Sequence, residues 1–160
     1  MLFPTHLLIG VFAAKGRFPT PWVVVGAALP DLVDKPLAML GFVSLYHSVV
    51  HSALFGVVFA ASWLVLRQRE RPTALKAVSA VAVGWSTHLA ADALHISING
   101  RPENTVFLLW PIVGGWDSIE AAPAAFFVQY LGTPSFYLEV IIWLLVVAFV
   151  VRNKRPDTGL

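Results

Sequence analysis

Apolar positions in this chain come in long runs, several closed by clustered basic residues. That pattern predicts membrane-crossing helices in place of amphipathic helices or alternating strands. The clearest run covers residues 46–66, roughly 30 Å of helix, and is closed by Arg67, Arg69 and Arg71. A second covers residues 76–95, and a third covers 135–151 and ends at Arg152, Lys154 and Arg155. Two shorter runs, 4–14 and 21–29, flank the polar turn Lys15-Gly16-Arg17. Pro4 and Pro21 suit first-turn positions, and both runs are short for a complete span, which predicts partial or tilted helices whose ends lie inside the protein. Residues 106–113 and 121–131 are apolar but interrupted by proline, which favours re-entrant or interfacial segments. The expected fold is all-α: a multi-pass transmembrane helical bundle with three full spans, two short or tilted N-terminal helices, and re-entrant or interfacial segments. With no internal repeat or low-complexity linker, residues 1–160 read as a single integral membrane domain.

Composition strengthens this picture, because 58% of the 160 residues are hydrophobic and only 12% are charged. A mean hydropathy of +0.74 leaves too little polar surface to cover a water-facing sphere. The sequence pI near 9.2 could suggest nucleic acid. The basic residues, however, sit in short clusters beside apolar runs, so membrane topology accounts for them and no nucleic-acid partner is expected. The chain opens Met1-Leu2-Phe3-Pro4 with no early positive charge, unlike a cleaved secretory signal, so the first segment is expected to stay.

If each predicted span crosses in turn, Lys15, Arg17, Arg67, Arg69, Arg71, Lys76, Arg152, Lys154 and Arg155 share one face, leaving Lys35 and Arg101 opposite. The positive-inside rule makes the basic face cytoplasmic, which predicts a protein of the inner or plasma membrane with its amino terminus outside and its carboxyl terminus inside. Asp31, Asp34, Asp92, Glu103, Asp117, Glu120, Glu139 and all five histidines then fall on the outer face.

The residues that carry chemistry follow from spacing. His47 and His51 are four apart on a predicted helix, so both rings occupy one face. His88, Asp92 and His95 stand at i, i+4 and i+7 on the next, and the two predicted helices are antiparallel neighbours. His6 and Asp31 reach the same level from the two short helices. A chain without cysteine holds a transition metal through imidazole and carboxylate, so this cluster predicts a divalent-metal site, with Zn²⁺ the first choice. Structural alternatives stand beside this reading. A histidine in a membrane helix can simply bond a neighbouring helix, Asp31 can cap a following helix with Asp34 in its first turn, and His95 can serve a helix terminus. The tryptophans read as interfacial or packing groups, Gly10, Gly26, Gly41, Gly56 and Gly84 as points of close helix approach, and Ser52 as a hydroxyl bond within the site.

Taken in order, Thr5-His6-Leu7-Leu8, Leu29-Pro30-Asp31 with Asp34, His51-Ser52, His88-Leu89-Ala90-Ala91-Asp92 and Leu108-Leu109-Trp110-Pro111 resemble the membrane-bound metal-dependent hydrolase family, including the LexA-regulated inner-membrane proteins. The resemblance spans residues 6–111. It departs where the family often has Asp-x-Asp and this chain has Asp31-x-x-Asp34, and where His47-Ser48-Val49-Val50-His51-Ser52 stands in place of His-Arg-Gly-x-Thr-His-Ser. That family is distantly similar to zinc-dependent phospholipase C and P1-type nucleases, which implies phosphoester hydrolysis.

The expectation is therefore a membrane-embedded metal-dependent hydrolase that cleaves a phosphoester of a lipid or lipid-like substrate at the outer membrane face with a metal-activated water. His6, Asp31, His51, His88 and Asp92 are the expected ligands, and Asp34 or His47 the group that orients the water. The competing class is a non-enzymatic divalent-metal-binding or transport protein, since ionisable residues within membrane helices also mark ion pathways.

Overall fold

In a computed structural model of the chain, residues 1–115 and 123–153 are described and fall into two compact units, Met1–Glu120 and Ala121–Leu160. The first unit contains α1 (Phe3–Ala14), α2 (Thr20–Met39), α3 (Gly56–Gln68) and α4 (Pro72–Ile98), with 3₁₀ turns at Ala53–Phe55 and Pro102–Leu109. The second contains α5 (Pro123–Tyr130) and α6 (Pro134–Asn153). Trp116, Asp117, Glu120, Lys154, Arg155 and residues 121–122, all invoked in the sequence reading, lie outside the described residues.

The expected multi-pass bundle with three full spans is not what forms. Among the described residues only α6, with 20 residues and a mean hydropathy of 2.3, is long and apolar enough to cross a membrane. The expected span 46–66 is interrupted at its start, because residues 46–52 run as bends and turns, and helix begins only with the short apolar stretch Ala53–Gln68. The cause is tertiary. The Asp34 carboxylate accepts from the backbone N–H groups of Ser48, Val50 and His51 at 3.0 Å each, so amides that a helix would aim at carbonyls are fixed on a side chain of α2. The expected span 76–95 does lie within one helix, but α4 carries Lys76, Ser79, Ser86, Thr87, His88, Asp92 and His95 and is not apolar enough to qualify. The nine-to-two arrangement of basic residues assumed that every predicted segment, the two short N-terminal ones included, crosses in turn, so the orientation drawn from it loses its basis.

The two N-terminal helices also differ from expectation. α1 matches the short run, but α2 is 20 residues long and continues through Pro30 and Pro36. Asp31 and Asp34 are consequently interior helical residues and not caps.

α2 and α4 cross in backbone contact. A Cβ on Gly26 would lie 2.0 Å from the Val81 carbonyl oxygen, and one on Gly84 would lie 2.0 Å from that of Val23, so only glycine fits at either position. α1 rests on both helices through Gly10, whose Cβ would meet Ala27 Cβ at 3.1 Å and Thr87 Oγ1 at 3.3 Å. Gly41 serves otherwise: at φ 76° it closes a Schellman turn after α2, with Gly41 N–H donating to Ala38 O and Phe42 N–H to Leu37 O.

Two small apolar clusters hold the first unit, Ala14–Val23–Ala80 and Val50–Trp85–Leu89, the latter packed by Phe55 and Phe59 from the α3 side. The Trp85 indole N–H donates to Val50 O at 2.7 Å, which ties the irregular 46–52 segment to α4. Much of the deepest interior is polar: His6, His51, His88, Thr5, Asp34, Ser48 and Ser52 are fully buried, while Val57, Val58, Leu64 and Val65 of α3 are exposed. This inversion of the usual arrangement is what α1, α2 and α4 are assembled to produce.

Candidate metal centre

Each of the three contacting helices carries a stripe at four-residue spacing in which small residues pack at one end and donors gather at the other. On α1 the stripe is His6–Gly10–Ala14, on α2 it is Val23–Ala27–Asp31, and on α4 it is Gly84–His88–Asp92, with every one of these residues buried. Close packing at Gly10, Gly26 and Gly84 therefore delivers His6, Asp31, His88 and Asp92 to one place. His47 and His51 arrive there from the bent segment 46–52 and not, as their spacing suggested, from one face of a helix.

The donors converge. Asp92 Oδ1 lies 3.2 Å from His6 Nε2. Asp92 Oδ2 lies 3.1 Å from His88 Nε2, 3.5 Å from His51 Nε2 and 3.7 Å from His47 Nε2. Asp31 Oδ1 lies 3.6 Å from His51 Nε2 and 3.7 Å from His88 Nε2. Three overlapping triads result, His6/His88/Asp92, Asp31/His51/His88 and His47/His51/Asp92, each with donor atoms within 4.8 Å of one another. The structure thus brings together His6, Asp31, His47, His51, His88 and Asp92. His95 does not join them; its Nδ1 lies 2.5 Å from the Met1 amino group.

The far side of two rings decides what the near side can do. His88 Nδ1 lies 2.7 Å from the carbonyl oxygen of Ala27, which can only accept, so that nitrogen carries the proton. His51 Nδ1 lies 2.8 Å from Asp34 Oδ2 and is held the same way. Both Nε2 atoms then point inward, 3.3 Å apart. Two facing lone pairs at that separation require a cation between them or a proton on one. In a tetrahedral Zn²⁺ site with Zn–N of about 2.0–2.1 Å, ligand nitrogens lie about 3.3–3.4 Å apart, so the spacing suits a shared metal ion. Asp31 Oδ2 and His6 Nδ1 are buried without a hydrogen-bond partner among the described residues, and a cation would compensate the former. A set of imidazole and carboxylate donors with no thiolate fits Zn²⁺ and similar divalent ions.

Electrostatics fit the same account. Burial opposes a charge on His51, yet bonds to Asp31, Asp34 and Asp92 outweigh it and hold the ring up at about 10. Burial likewise opposes a charged Asp92, but His6 and His88 keep its carboxyl well below the usual range. A positive charge, proton or metal, belongs at the centre of this cluster. His6, by contrast, is pushed down by burial, with Asp92 opposing, which favours the neutral ring a ligand must be.

Asp34 does not face the centre. Its two oxygens are taken by the 48–51 backbone and by His51 Nδ1, so in this geometry it orients a donor, where the sequence reading expected Asp34 or His47 to orient water. His47, with its side chain 28% exposed, is the partly open edge of the cluster. Ser52 ties chain segments together, donating to the carbonyls of Leu108 and Trp110 and accepting from Leu54 N–H, while Phe107 lies beneath the His47 ring at 5.2 Å. Sequence reading missed Lys35, whose Nζ lies 2.9 Å from Asp31 Oδ1. Its i+4 position from Asp31 was the available signal. Comparison with protein-family models, curated proteins and solved structures finds no match to this chain.

Proposed function

We propose that this protein is a metal-dependent hydrolase acting on a phosphoester of a lipid or lipid-like molecule, associated with the cell membrane through α6. The observation that carries the reading is the pair of inward Nε2 atoms of His51 and His88, 3.3 Å apart and each oriented by an acceptor behind the ring. The ordered motifs that resemble the membrane-bound metal-dependent hydrolases support the same class. α6 ends in Arg152, which favours a cytoplasmic carboxyl end.

His6, Asp31, His51, His88 and Asp92 hold a divalent ion, Zn²⁺ first. Such an ion supplies Lewis acidity toward water and a phosphoryl oxygen. Asp34 fixes the His51 ring and Ala27 the His88 ring, so both donors are preorganised. His47, at the open edge and 3.7 Å from Asp92 Oδ2, is placed to receive a proton from the water side and pass it out.

The test joins two measurements on purified protein: elemental analysis after growth with zinc or manganese, and turnover of a panel of phospholipids and soluble phosphodiesters. About one equivalent or more of metal together with hydrolysis is expected. No metal after supplementation would sink the reading. Bound metal with no hydrolysis, and with metal uptake into proteoliposomes, would reassign the protein to metal transport.

A further inference from the structure

The stripe that places Asp31 in the cluster continues outward along α2. Asp31, Lys35 and Met39 stand at i, i+4 and i+8, about 6 Å of helix per step, so one slowly drifting face leads from the buried carboxylate to the end of the helix. Exposure rises along it, from 6% at the Asp31 side chain to 39% at Lys35 and 62% at Met39. The helix then stops in the Schellman turn, which fixes Leu40 and Phe42 in place. Phe42 occupies the position whose side chain ordinarily folds back on the helix, yet it is 74% exposed, and Leu40 is exposed as well. A rigid turn thus displays three large apolar side chains to the surroundings, and one turn of helix before them stands a lysine.

We propose that Lys35 together with Met39, Leu40 and Phe42 forms a docking stripe for an anionic phospholipid, with the headgroup phosphate at Lys35 and the acyl chain along the apolar turn. The proposal rests on the metal-hydrolase reading for what happens to the phosphate, but not for the docking itself. Three features favour a lipid over a soluble phosphoester. The ammonium of Lys35 has three N–H donors and gives one to Asp31, which leaves donors for a phosphate oxygen. It sits between the buried cluster and the apolar turn, in the order in which a lipid presents phosphate and tail. The apolar residues also cluster at the end of α2, where a soluble substrate has no use for them.

Photolabelling tests the stripe. Protein purified in dodecyl maltoside is irradiated with a phosphatidic acid carrying a diazirine in its acyl tail, and in parallel with a diacylglycerol bearing the same tail. Peptide mapping reads where each attaches. Wild type should label at residues 39–42, about tenfold more with the phosphatidic acid. Lys35→Ala should lower that labelling by about tenfold, the loss expected for one charged hydrogen bond, and leave the diacylglycerol signal unchanged. Phe42→Ser should lower both. Because Lys35 is the 2.9 Å partner of Asp31 Oδ1, metal content is measured on the same samples and labelling is compared at matched metal occupancy. Equal labelling of wild type by the two probes, labelling elsewhere, or indifference to Lys35→Ala would overturn the proposal. Hydrolysis of the phospholipid and phosphodiester panel is followed on the same preparations: labelling of the turn with no member of the panel cleaved would remove the hydrolase assignment and keep the docking stripe.

Discussion

α4 and α6 are the two long helices whose sequences both looked like membrane spans, and they are built for different surroundings. α4 buries Gly84, Trp85, His88, Leu89, Asp92 and His95 against other parts of its unit. α6 buries Ser135 and Glu139 near its start and leaves Tyr137, Ile141, Leu144, Leu145, Val147 and Phe149 exposed. The polar groups of α6 are satisfied locally, since the Tyr130 hydroxyl donates to Glu139 within the same unit. Burial and that carboxylate push the Tyr130 phenol upward, which keeps it a donor. Length and helicity do not separate the two helices. A helix whose buried Trp85, His88 and Asp92 meet partners on other elements is scaffold for a site, whereas one with an uninterrupted apolar middle is suited to an apolar solvent.

The largest test of this contrast removes a donor from α4. His88→Ala or Asp92→Asn should reduce metal content to near zero, because truncating one member of a buried charged set costs about 3–5 kcal/mol. Glu139→Gln in α6 should leave it unchanged. Elemental analysis of the three purified proteins checks this, and full occupancy in Asp92→Asn would take that residue out of the site.

Next in size is Gly84→Ala. A methyl group set 2.0 Å from the Val23 carbonyl must push α2 and α4 apart, at about 3 kcal/mol or more, and should lower both the thermal midpoint and the metal content. An unchanged midpoint would mean that the helix crossing is not the support of the site.

Leu144→Arg addresses α6. Leu144 is exposed near the middle of the helix, where an arginine costs about 2.5–3.5 kcal/mol in membrane insertion. Carbonate extraction of membranes should release a large share of the variant and little of the wild type. Equal retention would show that α6 is not what holds the protein there.

The smallest effect is expected at Asp34→Asn. The residue touches no metal donor position directly, so the variant should still load metal, with affinity lowered about tenfold to a hundredfold through loss of His51 orientation. Titration against a competing chelator measures it. A loss as complete as in His88→Ala would place Asp34 in the cluster itself.

Sequence by itself determined the chemistry available. With no cysteine, the histidines and aspartates were the donors to consider, and the one-turn spacing of His88 and Asp92 survives in α4 because a regular helix fixes it. The apolar run ending at Arg152 was equally legible, since α6 depends on little beyond its own composition. Tertiary structure alone decided the rest. The segment Tyr46 to Ser52 does not announce that its amides will be captured by Asp34, a side chain 14 to 17 residues earlier, so neither the late start of helix nor the true setting of His47 and His51 could be read from spacing. The second short run was expected to close at residue 29, before Pro30, yet α2 passes through Pro30 and Pro36 while packed against α4. Glycines 26 and 84 could be named as small, but not paired, because the reciprocal contact with Val81 and Val23 exists only once two helices cross. Local propensity is written in neighbouring residues, whereas a site assembled from three helices and a bent segment depends on contacts between residues far apart in the chain.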